Sequence, residues 1–254
     1  MKSQMSKGNV FSKTILFFVG ICFCVGSYAQ QASDYRAAAE RGDKLSQSAL
    51  GNCYELGKGV TKDYTQAAYW YRKAAEQGYD EAQYNLGLCY EKGKGVTIDY
   101  TQAVYWYRKA AEQGYVNAQY NLALCYKKGK GVTIDYTQVA YWYRKAAEQG
   151  DTESQYYLSR CYYDGEGVTK DYAQAVYWSR KAAEKENAMA QYILAVCYYN
   201  GEGITKDGNT ALYWFERAIK NEDGSIPEVT ITVLKDIISN LKAEGYSPTR
   251  AKTQ

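Results

Sequence analysis

Five of the seven cysteines recur at a fixed interval of 36 residues and are the side chains best suited to redox or metal chemistry. They are Cys53, Cys89, Cys125, Cys161 and Cys197. The chain contains no histidine, which excludes Ser-His-Asp and Cys-His catalysis and removes the commonest ligand of a zinc site. Equivalent positions on helices that pack side by side lie about 8–10 Å apart, whereas a disulfide needs Cα atoms about 4.4–6.8 Å apart. We therefore predict reduced, buried cysteines that act as small apolar side chains, with disulfide formation or metal binding as the alternative.

Two short motifs resemble catalytic or phosphate-binding sequences. Residues 239–242 match Ser-x-x-Lys, but the Ser-Asp-Asn and Lys-Thr-Gly motifs that accompany it in penicillin-recognising enzymes are absent. Gly-x-Gly pairs begin at Gly57, Gly93, Gly129, Gly165 and Gly201. They lack the third glycine of a dinucleotide site and the Gly-Lys-Ser/Thr of a P-loop, so they fit turns. The sequence predicts no catalytic residues, no metal and no cofactor, and we expect a protein that is not an enzyme.

Four residue types share the 36-residue register, which predicts a tandem repeat. Besides the cysteines and the Gly-x-Gly pairs they are Trp70, Trp106, Trp142, Trp178 and Trp214, and Asp63, Asp99, Asp135, Asp171 and Asp207. In the unit 79–114 we expect Gly93 to end a first helix and Asp99 to cap a second one. The predicted buried stripes are Ala82, Leu86, Cys89 and Tyr90 on the first helix and Ala103, Trp106, Tyr107, Ala110 and Ala111 on the second. Each unit is thus predicted to be a helix hairpin that buries its faces by stacking on its neighbours.

The first 29 residues have the three parts of a secretory signal peptide. Three lysines precede the apolar run 14–26, and Ser27 and Ala29 place small residues before a cleavage site. The run is shorter than the about 20 residues that span a bilayer; an uncleaved anchor is the alternative. We predict cleavage after Ala29 and an exported protein, periplasmic or secreted, without stable membrane insertion.

The charge balance gives no support for nucleic-acid binding. The chain carries 31 basic and 28 acidic residues, and removal of the three lysines of the signal segment leaves 28 of each sign. A balanced chain exerts no long-range attraction on nucleic acid or anionic lipid.

The repeat is identified as a member of the Sel1-like repeat family, which is related to the tetratricopeptide repeat. Residues 82–114, AQYNLGLCYEKGKGVTIDYTQAVYWYRKAAEQG, combine the Leu-Gly, Gly-x-Gly-Val, Asp, Trp-Tyr and Lys-Ala-Ala-Glu elements of that family. The resemblance covers five repeats in residues 44–221 and a half repeat in residues 30–43. The chain departs from the family pattern at Ser179, Glu186, Gly208 and Phe215. The resemblance implies an all-α, right-handed superhelical α/α solenoid of the exported bacterial type, whose partners are other proteins of the envelope or of a host.

After residue 221 the period stops, and residues 222–254 are predicted to form a capping helix and a tail. Ile231, Leu234, Ile238 and Leu241 share one face of a helix between Pro227 and Glu244. Such a helix is expected to cover the exposed core of the last repeat.

Comparison of the repeats with one another predicts a binding surface, because positions fixed by stacking recur whereas positions that face a partner can vary. A leucine recurs on every first helix, at Leu50, Leu86, Leu122, Leu158 and Leu194. Neighbouring positions vary, and they include Asn85, Leu88, Glu91, Asn121, Leu124, Lys127, Tyr157, Arg160, Tyr163, Ile193, Val196 and Tyr199. In related solenoids the first helices line the concave face, so the resemblance implies that these residues contact a protein partner.

Charge also varies between the two helices of each hairpin. Lys58, Lys94 and Lys130 occupy the middle of the first three Gly-x-Gly turns, and Glu166 and Glu202 occupy the last two. A solvated edge and a bipolar edge that orients a partner both fit this pattern.

We predict a non-catalytic scaffold or adaptor for protein–protein interaction. The alternative is a cell-wall-related protein that binds or hydrolyses β-lactams or peptidoglycan, because some family members have been described in that way. A regulatory partner of a membrane complex is a third possibility.

Overall fold

All regular secondary structure in the described residues, 28–220 and 226–250 of a computed structural model, is α-helical. The chain divides into two compact units, residues 1–113 and 114–254. The first contains α1 (residues 28–40), α2 (Lys44–Leu56), α3 (Tyr64–Glu76), α4 (Asp80–Lys92) and α5 (Tyr100–Glu112). The second contains α6 (Val116–Lys128), α7 (Tyr136–Glu148), α8 (Thr152–Asp164), α9 (Tyr172–Ala183), α10 (Ala188–Asn200), α11 (Gly208–Lys220) and α12 (Glu228–Ala243). The predicted fold class, an all-α solenoid of helix hairpins, is confirmed.

The predicted signal peptide lies outside the described residues except for Tyr28 and Ala29, which are the first described residues of α1. The predicted cleavage site, between Ala29 and Gln30, therefore falls at the start of the described part of this helix, and cleavage stays a prediction. None of the described helices is long and apolar enough to cross a membrane.

The helix boundaries follow the residues that predicted them. Gly93 ends α4 with a φ of 66°, and its N–H donates to the Cys89 carbonyl. This left-handed conformation favours glycine because a Cβ atom would be crowded. At the start of α5, the Asp99 carboxylate accepts a hydrogen bond from the Gln102 backbone N–H at 3.0 Å. Both boundaries are as predicted.

The second glycine of the Gly-x-Gly turn fits against the backbone of the preceding second helix. A Cβ on Gly95 would lie 2.0 Å from the Tyr64 carbonyl oxygen. In the second unit, a Cβ on Gly203 would lie 2.3 Å from the Tyr172 carbonyl oxygen. Because the opposing atoms belong to the backbone, no side-chain movement would relieve the overlap. These glycines therefore allow close packing between repeats.

Each unit has its own buried residues at the repeated positions. Leu50 and Leu86 are fully buried in the first unit, and Leu158 and Leu194 in the second. In the second unit α12 contributes Leu234, Ile238 and Leu241 to a cluster that includes Phe215 and Leu194, so this helix covers the last repeat as predicted.

The predicted stripe is too wide at two aromatic positions. Tyr90 and Trp106 are only half-buried. The Tyr90 hydroxyl accepts a hydrogen bond from Arg72 Nη2 at 2.7 Å. Because a tyrosine ring combines an apolar body with a polar tip, this partner holds Tyr90 at the edge of the core.

Candidate functional site

The twelve predicted contact residues lie on the first helices of four hairpins, α4, α6, α8 and α10, and we call them the first-helix surface. Ten of the twelve are half-buried. Tyr199 is 39% exposed. Ile193 is only 8% exposed and belongs to the hydrophobic cluster that contains Phe215. Ile193 is therefore a core residue, whereas its counterparts Asn85, Asn121 and Tyr157 are half-buried.

In the first unit, buried tyrosines of the second helices form hydrogen bonds with glutamates of the first helices. The Tyr71 hydroxyl lies 2.6 Å from Asn52 Oδ1 and 2.9 Å from Glu55 Oε2. In the next hairpin Tyr107 donates to Glu91 Oε2 at 2.7 Å. These carboxylates are therefore fixed by the core beneath them.

Glu55 has a second partner in the following repeat. Lys94 Nζ lies 2.6 Å from Glu55 Oε1. Burial by itself raises the pKa of Glu55, but the hydrogen bonds from Lys94 and Tyr71 outweigh it and hold the pKa below its ordinary value. Glu55 is thus a charged link between two repeats.

In the second unit the equivalent second-helix tyrosine, Tyr143, instead packs against an aromatic residue of a first helix, next to a lysine. The rings of Tyr143 and Tyr157 stack with centroids 5.1 Å apart and planes at 12°. Lys127 Nζ lies 5.2 Å from the Tyr157 ring centroid. The Tyr143 hydroxyl is buried and has no hydrogen-bond partner in the described residues. Burial raises its pKa above the ordinary tyrosine value.

Three more predicted contact residues of the second unit have partners within the chain. Arg160 forms an ion pair with Asp164, one helical turn later, at 3.5 Å. Tyr163 donates to Glu202 Oε2 at 2.8 Å, and Glu202 lies in the next Gly-x-Gly turn. Tyr199 is partly exposed; its ring meets Phe215 edge to face with centroids 6.3 Å apart, and Lys206 Nζ lies 5.6 Å from its centroid.

These contacts account for the charge at two of the five Gly-x-Gly turns. Lys94 pairs with Glu55, and Glu202 accepts a hydrogen bond from Tyr163. In both cases the middle residue of a turn bonds to the first helix of the preceding repeat, 39 residues earlier. At these two turns the charged residue therefore links neighbouring repeats.

The described parts of the chain hold no group of side chains arranged for disulfide, metal or β-lactam chemistry. All five cysteines there are free and buried. Those parts contain no cluster of three or more residues that could hold a metal ion. In α12, Ser239 is exposed and the Lys242 ammonium is paired with Glu216 at 2.6 Å, so the Ser-x-x-Lys match gives no support to β-lactam chemistry.

The sequence argument missed a feature of the second helices. Each has an exposed or half-exposed tyrosine beside the repeated tryptophan, at Tyr69, Tyr105, Tyr141, Tyr177 and Tyr213. In every repeat the two rings meet edge to face with centroids 4.9–5.0 Å apart. The recurrence of Tyr-Trp at an interval of 36 residues was the available signal.

Hairpins stacked on one another, with a fixed core and a varied surface, define a helical-repeat protein. The family model described as the Sel1 repeat matches residues 44–79, 80–115, 116–151, 152–187 and 188–223. The chain belongs to this family. Sel1 repeat proteins are generally protein-interaction scaffolds.

Two solved structures are similar over most of this chain. One is c5321, a protective antigen present in uropathogenic Escherichia coli strains displaying an SLR fold, with 37% identity, a TM-score of 0.75 and coverage of 87% of this chain. This chain spans 45% of that protein. The other is a Sel1 repeat protein from Oxalobacter formigenes, with 38% identity, a TM-score of 0.73 and coverage of 82% of this chain and 85% of that one. A comparison with curated proteins found no match.

Proposed function

We propose that this protein is a non-catalytic scaffold that binds a protein partner through the first-helix surface. The observation that supports the proposal is a contrast on the same helices. Leu86, Leu122, Leu158 and Leu194 are completely buried, whereas the half-exposed residues beside them change from amide to aromatic to basic. A fixed frame with a varied surface suits recognition of one partner along several repeats.

The second unit offers the stronger contacts. Its surface presents Tyr157, Arg160 and Tyr199, and tyrosine and arginine are the residue types that dominate binding energy in protein interfaces. In the first unit Glu55 and Glu91 already bond to buried tyrosines. We therefore assign the larger share of the partner contact to the second unit and expect the partner to offer apolar and acidic groups.

Export is part of the proposal. It rests on the basic, apolar and small-residue parts of the segment 1–29. The partner is then another protein of the bacterial envelope or of a host, met after cleavage that leaves Gln30 as the first residue.

The test is affinity capture from an envelope fraction of the producing bacterium, followed by quantitative mass spectrometry. Wild type is compared with Arg160→Glu and Tyr199→Ser on the first-helix surface, and with Lys181→Glu as the control. Lys181 is an exposed residue of the second helix α9 in the same unit, so its reversal changes charge without altering the proposed surface. We expect both surface variants to lose a partner that wild type and Lys181→Glu retain. Equal recovery with all four proteins would contradict the proposal.

A further inference from the structure

The tail that follows α12 docks on the last repeat. A Cβ on Gly208 would lie 2.5 Å from a ring carbon of Tyr246, so this departure from the family pattern makes room for the Tyr246 ring. The Ser247 N–H donates to Asn209 Oδ1 at 2.8 Å. The Thr249 N–H donates to the Asn209 carbonyl oxygen at 3.4 Å. These contacts direct the tail along the start of α11.

The tail places Arg250 beside residues of two second helices, at the end of α9 and in α11. Arg250 Nη2 donates to Glu184 Oε1 at 2.5 Å, and its Cζ lies 5.5 Å from the Trp214 ring centroid. A carboxylate beside an indole face is a favourable site for a guanidinium, since it combines a charge-assisted hydrogen bond with a cation–π contact. Arg217 also lies over the Trp214 ring, 5.7 Å from its centroid, so the presence of Arg217 does not prevent the binding of Arg250.

A glutamate, a tryptophan and a basic residue recur at the positions of Glu184, Trp214 and Arg217 in every repeat. At the start of the first unit they are Glu40, Trp70 and Lys73, each 144 residues earlier. There they line an open cavity of about 480 Å³ together with Ala39, Gly42, Gln47, Tyr69, Glu76 and Gln77. We call this cavity the α1–α3 pocket. Trp70 is half-buried whereas Trp214 is only 3% exposed.

We propose that the α1–α3 pocket binds an arginine side chain in an extended segment of a partner protein, as the last repeat binds Arg250. Glu40 would accept the guanidinium hydrogen bonds, and the Trp70 ring would lie beneath the cation. The second carboxylate of the pocket, Glu76, makes the site more favourable for a cation despite Lys73.

The tail of a second copy is a poor occupant for two reasons. Its arginine is already held within its own chain, where the effective concentration of a tethered ligand reaches millimolar values. The residues that seat the tail also change, because Tyr64 and Thr65 stand where the last repeat has Gly208 and Asn209. Apart from Gly42 and the α2 residue Gln47, the pocket is lined by residues of α1 and α3 and by Gln77, which follows α3, and it contains none of the residues of the first-helix surface.

The test uses a capped peptide with the sequence Gly-Ser-Arg-Ser-Gly, which presents an arginine without the residues that seat the tail, titrated into the ¹⁵N-labelled full chain without its signal segment. The readout is the Trp70 indole N–H signal, which is identified by its loss in Trp70→Phe. A matched peptide carries citrulline, which keeps the shape of arginine but not its charge. Glu40→Gln removes the proposed charge, and Glu148→Gln is the control at the equivalent helix end of the second unit.

We expect a saturable shift of the Trp70 signal that weakens about fivefold with citrulline or in Glu40→Gln, as for loss of about 1 kcal/mol of charge-assisted binding. Glu148→Gln should respond like wild type. An unmoved Trp70 signal, equal affinity for the citrulline peptide, or an unchanged response in Glu40→Gln would overturn the proposal. So would a dimer in sedimentation that disappears in Arg250→Ala, because the occupant would then be a second copy.

Discussion

Removal of a single hydroxyl oxygen should have opposite effects at two equivalent positions. Tyr71 and Tyr143 lie in the second helices of two repeats, 72 residues apart, and both are buried. The Tyr71 hydroxyl bonds to Asn52 and Glu55, whereas the Tyr143 hydroxyl has no partner in the described residues. Substitution by phenylalanine keeps each ring and removes only its hydroxyl group.

The magnitudes follow from the contacts. A hydrogen bond to a charged group contributes about 1.5–3 kcal/mol. In Tyr71→Phe the carboxylate of Glu55 keeps Lys94 at 2.6 Å, so we expect the lower part of that range, a loss of about 1.5–2 kcal/mol in the free energy of unfolding. A buried unsatisfied polar group costs about 1–3 kcal/mol. Tyr143→Phe removes that cost, and we expect stability to stay equal or rise by about 1 kcal/mol.

The assay is urea unfolding followed by far-ultraviolet circular dichroism. Because repeat arrays can unfold in more than one step, amide hydrogen exchange in α3 and α7 provides the local free energies. Tyr69→Phe, at an exposed tyrosine of α3, is the control and should be neutral. Equal destabilisation by Tyr71→Phe and Tyr143→Phe would refute the account of these hydrogen bonds.

Two further predictions concern the turn glycines and the cysteines. Gly78→Ala should lower the free energy of unfolding by about 1 kcal/mol, for its positive φ alone, because no atom beyond its chain neighbours lies within 4 Å of the added Cβ. Gly95→Ala should lower it by about 3 kcal/mol or more, because the added Cβ overlaps the Tyr64 backbone. Equal shifts of the urea midpoint would show that the close approach is unimportant. Burial raises the pKa of the Cys89 and Cys197 thiols to about 12, so at pH 8 their reactive thiolate is far scarcer than in the unfolded chain. We expect iodoacetamide to label them at under about 1% of the rate in urea, with labelling of the native protein rising as the pH rises; rapid labelling of native protein at pH 8, mapped by mass spectrometry, would contradict the burial.

The parts of the fold that local chemistry determines could be predicted from the sequence. Gly93 and Asp99 end and begin helices through contacts with residues a few positions away, and the recurrent leucine marks the buried side of each first helix. The interval of 36 residues then repeats these local signals, which is why the hairpins were predictable. The cysteines were also predictable as buried thiols, because they share the register of that leucine.

The contacts between distant positions could not be predicted. Arg250 reaches Glu184 across 66 residues, and no periodic pattern connects the tail to the last repeat. Gly208 was visible as a departure from the family pattern, but its reason is the ring of Tyr246. The variation at Ile193 indicated a surface, yet the residue packs in the core, in the cluster that contains Phe215. Variation between repeats therefore does not by itself mark a surface position.

The two kinds of contact between repeats have different consequences for gene rearrangement. The atoms nearest to a Cβ added at Gly95 or Gly203 are backbone atoms of the preceding repeat, so this close approach does not depend on which side chains a duplicated or transposed repeat carries. The bonds of Glu55 to Lys94 and of Tyr163 to Glu202 depend on the neighbour. A transposition that placed the Glu202 turn after the repeat of Glu55 would bring two carboxylates together and lose an ion pair. The glycine junctions therefore tolerate added repeats, whereas the bonds of Glu55 to Lys94 and of Tyr163 to Glu202 favour the present order of the repeats that carry them.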